Sequence, residues 1–229
     1  MHDKWVVFGG WALRPDLLRP VFGENSIYVD INDMMPLLVD NGRLRPDWVD
    51  IVRAKTVFSD RQSDYDLAGW STGAIVACGL AMTVPVKNLV LLSSTPSFCR
   101  REGFAFGQRP GVLDVMRKGL QKPGNNVVGD FGIRSGIAGA ALVKVIHEPK
   151  SLVDGLHFLE QVNLLPHLKN IASSTRARVY HGDKDLIIPH EAGKVLANRI
   201  GAEFSLMPGG HAFFMGQHLQ IAKAICPPK

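Results

Sequence analysis

The sequence predicts an α/β fold: a mostly parallel sheet of about six strands, helices on both faces and a small helical insertion. Three observations carry that reading. Short β-rich runs alternate with helical stretches along most of the chain, which builds βαβ units and hence a parallel sheet. Each run reads as a buried strand closed by turn residues. The alternation lapses only between residues 97 and 170, and the lapse begins and ends beside core strands. It therefore reads as an insertion, giving one domain with a core of 1–97 and 170–229 and a cap of about 98–169.

The elements follow in order. "KWVVFGG" (4–10) is the first strand, and a helical pattern follows around 14–20. "SIYVDIN" (26–32) is the next strand, then a helical pattern over 47–53. "DYDLAGW" (64–70) leads through a serine into a helix of small residues over 72–82. "KNLVLLSS" (87–94) precedes the insertion, which holds the helical patches "GVLDVMRKGL" (111–120) and "SLVDGLHFLEQV" (151–162). "ARVYHGD" (177–183), a helix over 189–200, "AEFSLMPG" (202–209) and a helix over 215–225 complete the chain. In such sheets ligands bind outside the carboxyl ends of the strands, so the residues just after each strand are the ones to weigh for function.

Composition excludes several classes. With 46% hydrophobic and 21% charged residues in 229, the chain is an ordinary globular one, not a disordered one. No apolar run approaches the roughly 20 residues that span a bilayer. The chain runs from its first residues into a core strand without the cleavage pattern of a signal peptide, and its three cysteines have no metal-type spacing. A reducing, cytoplasmic setting is the expectation. No phosphate-binding G-x-x-x-x-G-K-[ST], H-E-x-x-H or paired C-x-x-C is present, so neither a cofactor nor a metal is expected. Residues 100–150 carry nine Lys or Arg against four acids, so the whole net charge of +5 sits in the insertion. That suits an acidic partner or simply a solvated surface. Without an RNA-binding aromatic signature, nucleic acid ranks last.

Gly69-Trp70-Ser71-Thr72-Gly73 fits G-x-S-x-G. As a bare string it is either a nucleophile turn or a glycine-rich bend, and the strand before and helix after it favour the former. A serine at that corner needs a backbone so tight that side chains two residues away on either side would collide. The helix N-terminus then aims N–H groups at any oxyanion formed there. His211, in "LMPGGHAFF", follows the last strand in a glycine turn and is the candidate base. Of Asp183 and Asp185 in "VYHGDKDLIIP", Asp185 lies past the turn and is the candidate acid, while Asp183 serves the turn itself. His181 reads as a satisfied, partly buried imidazole. The chain order Ser71, Asp185, His211 is that of the α/β-hydrolases. Oxyanion donors should come from the Thr72 N–H and from the Trp11 N–H in "FGGWALRP".

"GGW", "GWSTG", "LLSSTPSF", "HGDKDLIIP" and "GGHAFF" together resemble the α/β-hydrolases. Within them the chain is most similar to the pimeloyl-[acyl-carrier protein] methyl ester esterases of biotin synthesis. The tryptophan before the nucleophile (Trp70), the strand exit Ser93 to Phe98 and the stretch 152–171 carry that narrower likeness. It implies Ser71 as nucleophile, Asp185 as acid, His211 as base, Trp11 and Thr72 as oxyanion donors, and Trp70 and Phe98 against substrate. It also implies an acyl-carrier protein as partner, docked on a basic cap; Arg117 and Lys118, within the cap's basic excess, are the docking candidates. The chain departs from the family in lacking the strands before the first glycine loop, in having Gly9-Gly10 where His-Gly is usual, and in the middle of its cap, about 104–140. The alternatives are a general short-chain carboxylesterase or thioesterase, and a hydrolase-fold binding protein without catalysis.

Overall fold

A computed structural model describes residues 4–58, 65–137 and 147–225. His2, Asp64, Lys144 and Cys226, all part of the sequence reading, lie outside the described residues. Six strands form one all-parallel sheet: β1 (Lys4–Phe8), β2 (Ile27–Val29), β5 (Tyr65–Trp70), β6 (Asn88–Leu92), β7 (Arg176–Gly182) and β8 (Glu203–Met207). Their order is β2-β1-β5-β6-β7-β8. The chain first steps outward from β1 to β2, then crosses back to place β5 on the other side of β1. Strand order therefore reverses between β1 and β5, the point where parallel sheets open a crevice at their carboxyl ends. Phe8 pairs with Gly69 in that register, so the loops leaving β1 and β5 emerge side by side.

Alternation along each strand sends side chains to two cores. Val6, Phe8, Leu67, Leu89, Leu91 and Val179 face the helices α2 (Ile31–Leu38), α3 (Trp48–Ala54), α4 (Thr72–Ala81) and α8 (His190–Ile200). Trp5, Val7, Trp70, Val90 and Tyr180 face α1 (Arg19–Phe22) and α9 (Phe214–Ile225). All ten residues of α4 are buried, which accounts for its run of small side chains. Between β6 and β7 lie α5 (Pro110–Leu120), α6 (Val127–Arg134) and α7 (Pro149–Gln161).

Two features differ from the sequence reading. The strand expected over 26–32 stops at Val29, and α2 begins at once because the Asp30 side chain caps it, accepting the Asn32 N–H at 3.0 Å. A small antiparallel pair, β3 (Val39–Asp40) and β4 (Arg43–Leu44), turns through Asn41-Gly42 and had no counterpart in the reading.

Candidate active site

Ser71 stands where β5 ends and α4 begins, with φ 56° and ψ −120°. A non-glycine residue there stores roughly 1–3 kcal/mol of strain. Close packing enforces it. A Cβ on Gly69 would lie 2.4 Å from the Gly73 carbonyl oxygen, and one on Gly73 would lie 2.2 Å from that of Gly9. The two glycines let three backbone segments meet around the serine.

His211 leaves the Pro208-Gly209-Gly210 loop after β8 and is fully buried. The Ser71 hydroxyl lies 2.8 Å from its Nε2, and its Nδ1 lies 2.7 Å from Asp185 Oδ2. With Nδ1–H donating to the carboxylate, Nε2 is left to accept the serine proton. Asp185 sits beyond β7. Its Oδ1 accepts the N–H groups of Ile187 (2.8 Å) and Ile188 (2.9 Å), and its Oδ2 also lies 3.1 Å from His181 Nε2. Burial works against the charge of Asp185, but His211, together with the hydrogen bond from His181, outweighs it. The carboxyl is held far below the usual carboxylate range. Asp183 does not bond its own turn with its side chain: Oδ1 accepts the Gly209 N–H at 2.8 Å from the loop after β8, and so ties the acid's loop to that of His211.

Trp11, Thr72 and Ser71 line the floor of a cavity of about 310 Å³. The Trp11 indole N–H donates to the Leu152 carbonyl of α7 at 2.9 Å, and its ring stands edge-on to Phe131 of α6. Phe98 and residues of α5, α6 and α7 complete a mainly apolar wall, with Asp130 and Arg134 of α6 among the few polar members. Among the described residues, no group of three or more His, Cys, Asp or Glu is placed to hold a metal ion. Burial pushes the Cys78 thiol up to about 12, so it offers no competing nucleophile.

No protein-family model matches the chain. The pimeloyl-[acyl-carrier protein] methyl ester esterase of Nitrosomonas europaea is 30% identical, over 92% of this chain and 89% of the relative. The protein of the same name from Shewanella oneidensis is 24% identical, over 97% and 89%. The chain belongs to the pimeloyl-[acyl-carrier protein] methyl ester esterase family. Among solved structures, the esterase EaEST from Exiguobacterium antarcticum superposes with a TM-score of 0.78 at 15% identity, covering 98% of this chain and 91% of that one. MenH from S. aureus superposes with a TM-score of 0.75 at 19% identity, covering 98% and 92%. The fold is that of the α/β-hydrolases.

Within this family member, two residues expected at the site serve otherwise. Trp70 does not line the cavity. Its side chain is fully buried on the α9 face of the sheet, edge-on to Phe214, and its indole N–H donates to the His211 carbonyl at 3.0 Å. Strand alternation sends it there, where its indole ties down the histidine loop. Arg117 offers no free charge for docking. Its side chain is only 11% exposed and is committed to Asp114 and, at 2.9 Å, to Glu160 of α7. Lys118 is exposed. The sequence reading names Ser93 and His181 but gives neither a role in supporting the site. Ser93 Oγ donates to the same His211 carbonyl at 2.7 Å, and His181 grips Asp185. The "HGDKD" spacing was the available signal for the latter.

No helix among the described residues is long and apolar enough to cross a membrane.

Proposed function

We propose that this protein is a serine esterase that removes the methyl ester from a pimeloyl chain carried on acyl-carrier protein. The observation that carries the proposal is the unbroken run Ser71–His211–Asp185, at 2.8 and 2.7 Å, opening into an apolar cavity. Relatives bearing that activity in their names, aligned over nine-tenths of the chain, support the substrate.

In this reading Ser71 Oγ attacks the ester carbonyl while His211 Nε2 takes its proton. The negative oxygen meets the Trp11 and Thr72 N–H groups, and Asp185 stabilises the imidazolium. His211 returns the proton to the departing methoxide, releasing methanol and leaving an acyl-enzyme. Water then attacks by the same route and frees the carboxylate. The segment 98–169 acts as a cap on a single-domain core, and Phe98, Leu113, Met116 and Leu159 bed the acyl chain. A volume of about 310 Å³ is at the small end of ligand sites, which suits a short acyl chain.

Exposed Lys118 lies one turn beyond cavity-lining Val115 on α5, and exposed Arg134 belongs to the cavity wall itself. These cations suit an acidic carrier at the mouth. The free, buried Cys78 and Cys99 agree with a cytoplasmic setting. A serine-reactive phosphonate should label Ser71 and not Ser71→Ala. Carrier-linked methyl ester should be turned over with higher kcat/KM than small free esters, and equal or lower values would count against the substrate.

A further inference from the structure

Asn32 takes no part in the chemistry above, yet it is fully buried and all its side-chain bonds but one go to a single loop. Its Oδ1 accepts the Ala12 N–H at 2.8 Å. Its Nδ2 donates to the Gly10 carbonyl at 3.2 Å and to Asp30 Oδ1 at 2.8 Å. A flipped amide would set an oxygen against two acceptors and an NH₂ against a donor, so one orientation alone satisfies all three partners. Asp30 Oδ1 also accepts the Asn32 backbone N–H, which locks the residue into the first turn of α2.

We infer that Asn32 is a positioning residue for the oxyanion hole, aiming the Trp11 N–H by gripping the peptide that carries it. The Gly10 carbonyl and the Trp11 N–H belong to one planar trans peptide and point in opposite directions. Anchoring the carbonyl on α2 turns the N–H away from α2. Ser71 adjoins this peptide: a Cβ on Gly10 would lie 3.5 Å from that of Ser71, and Trp11 shares the cavity floor with Ser71 and Thr72. The second half of the grip explains a local oddity. Ala12 has φ 61°, a left-handed value that costs a non-glycine residue energy and needs an outside hold. The Asn32 side-chain oxygen Oδ1 supplies that hold. Gly9 and Gly10 have no side chain to brace the loop from within, so the brace comes from the neighbouring helix.

The inference rests on the esterase reading and on Trp11 as an oxyanion donor. Asn32→Leu keeps the volume and removes both loop contacts, while Asn32→Ala is a milder deletion that leaves room for water. Active sites are titrated by phosphonate so that unfolded protein is not counted, and p-nitrophenyl butyrate is the substrate. Each variant should lose about 10- to 100-fold in kcat per titrated site, within the loss from deleting an oxyanion donor outright. KM should stay within about twofold. Affinity for an alkyl boronic acid, whose serine adduct carries the tetrahedral oxyanion, should fall in step with kcat/KM. A lowered Tm with kcat per site and boronate affinity intact would overturn the inference and leave Asn32 a structural residue. If the wild type shows no Ser71-dependent hydrolysis, the esterase reading falls and takes this inference with it. An active wild type with undiminished variants overturns the inference alone.

Discussion

Replacing Trp70 with phenylalanine separates holding the base from touching the substrate. The indole N–H donates to the His211 carbonyl at 3.0 Å inside the protein, but Ser93 Oγ at 2.7 Å keeps that carbonyl from being orphaned. Losing one of two donors therefore costs about 0.5–1.5 kcal/mol. The missing part of the ring leaves a small void between Phe214 and Gly10, which adds about 1–2 kcal/mol. For a chain of this size the melting temperature should fall by roughly 4–10 °C. Loosening the His211 loop should lower kcat by about 3- to 30-fold, since a small misplacement of a base is costly. Trp70 lies outside the cavity lining, so KM and the ranking of acyl-chain lengths should not change. The assay is kcat and KM over a series of p-nitrophenyl esters from acetate to octanoate, with thermal melts alongside. Phe98→Ala is the control, because Phe98 does line the cavity and its loss should shift chain-length preference. If Trp70→Phe moved the chain-length optimum or raised KM with kcat intact, the assignment of Trp70 as a support would be wrong.

Other perturbations probe the acid and the surface. Asp185→Asn should keep the shape of the site but lower kcat by about 10³- to 10⁴-fold, because Nδ1 no longer faces a carboxylate. Since the folded pKa of Asp185 lies below its unfolded value of about 3.9, its charge stabilises the fold fully above that pH. That contribution is lost as pH falls towards the folded value, so the stability gap to Asp185→Asn, read by urea titration, should close in acid. His181→Phe removes the imidazole that lies 2.9 Å from the Ile188 carbonyl and 3.1 Å from Asp185 Oδ2, so it should lower kcat by loosening the acid's loop, and a thermal melt should show a lower Tm as well. Lys118→Glu should weaken turnover of carrier-linked ester and its salt dependence without affecting small esters. Arg117→Glu should instead lower Tm, because it sets a third carboxylate against Asp114 and Glu160.

The strands and the order of the loops after them were legible because buried parallel strands are compact apolar runs closed by glycine and acid turns. Ser71, Asp185 and His211 each follow such a run, so their approach to one another could be read from chain order. α2 was not legible: "VDIN" continues a β-like run, Pro36 argues against a helix, and the deciding contact is a single Asp30 cap. The role of Trp70 depends on which face of β5 it occupies and on a partner 141 residues away. Arg117 looked like a free cation because Glu160, which helps neutralise it, belongs to a different helix. Asn32 carried no motif, and only the approach of α2 to the β1 loop gives its amide meaning.

The central claim is tested most directly by incubating purified methyl pimeloyl-acyl-carrier protein with the wild-type enzyme and with Ser71→Ala, and following the carrier by intact mass. The account predicts loss of the methyl group, with the thioester to the carrier retained, for the wild type alone. A wild type that hydrolyses free esters yet leaves the carrier-bound methyl ester intact would contradict it.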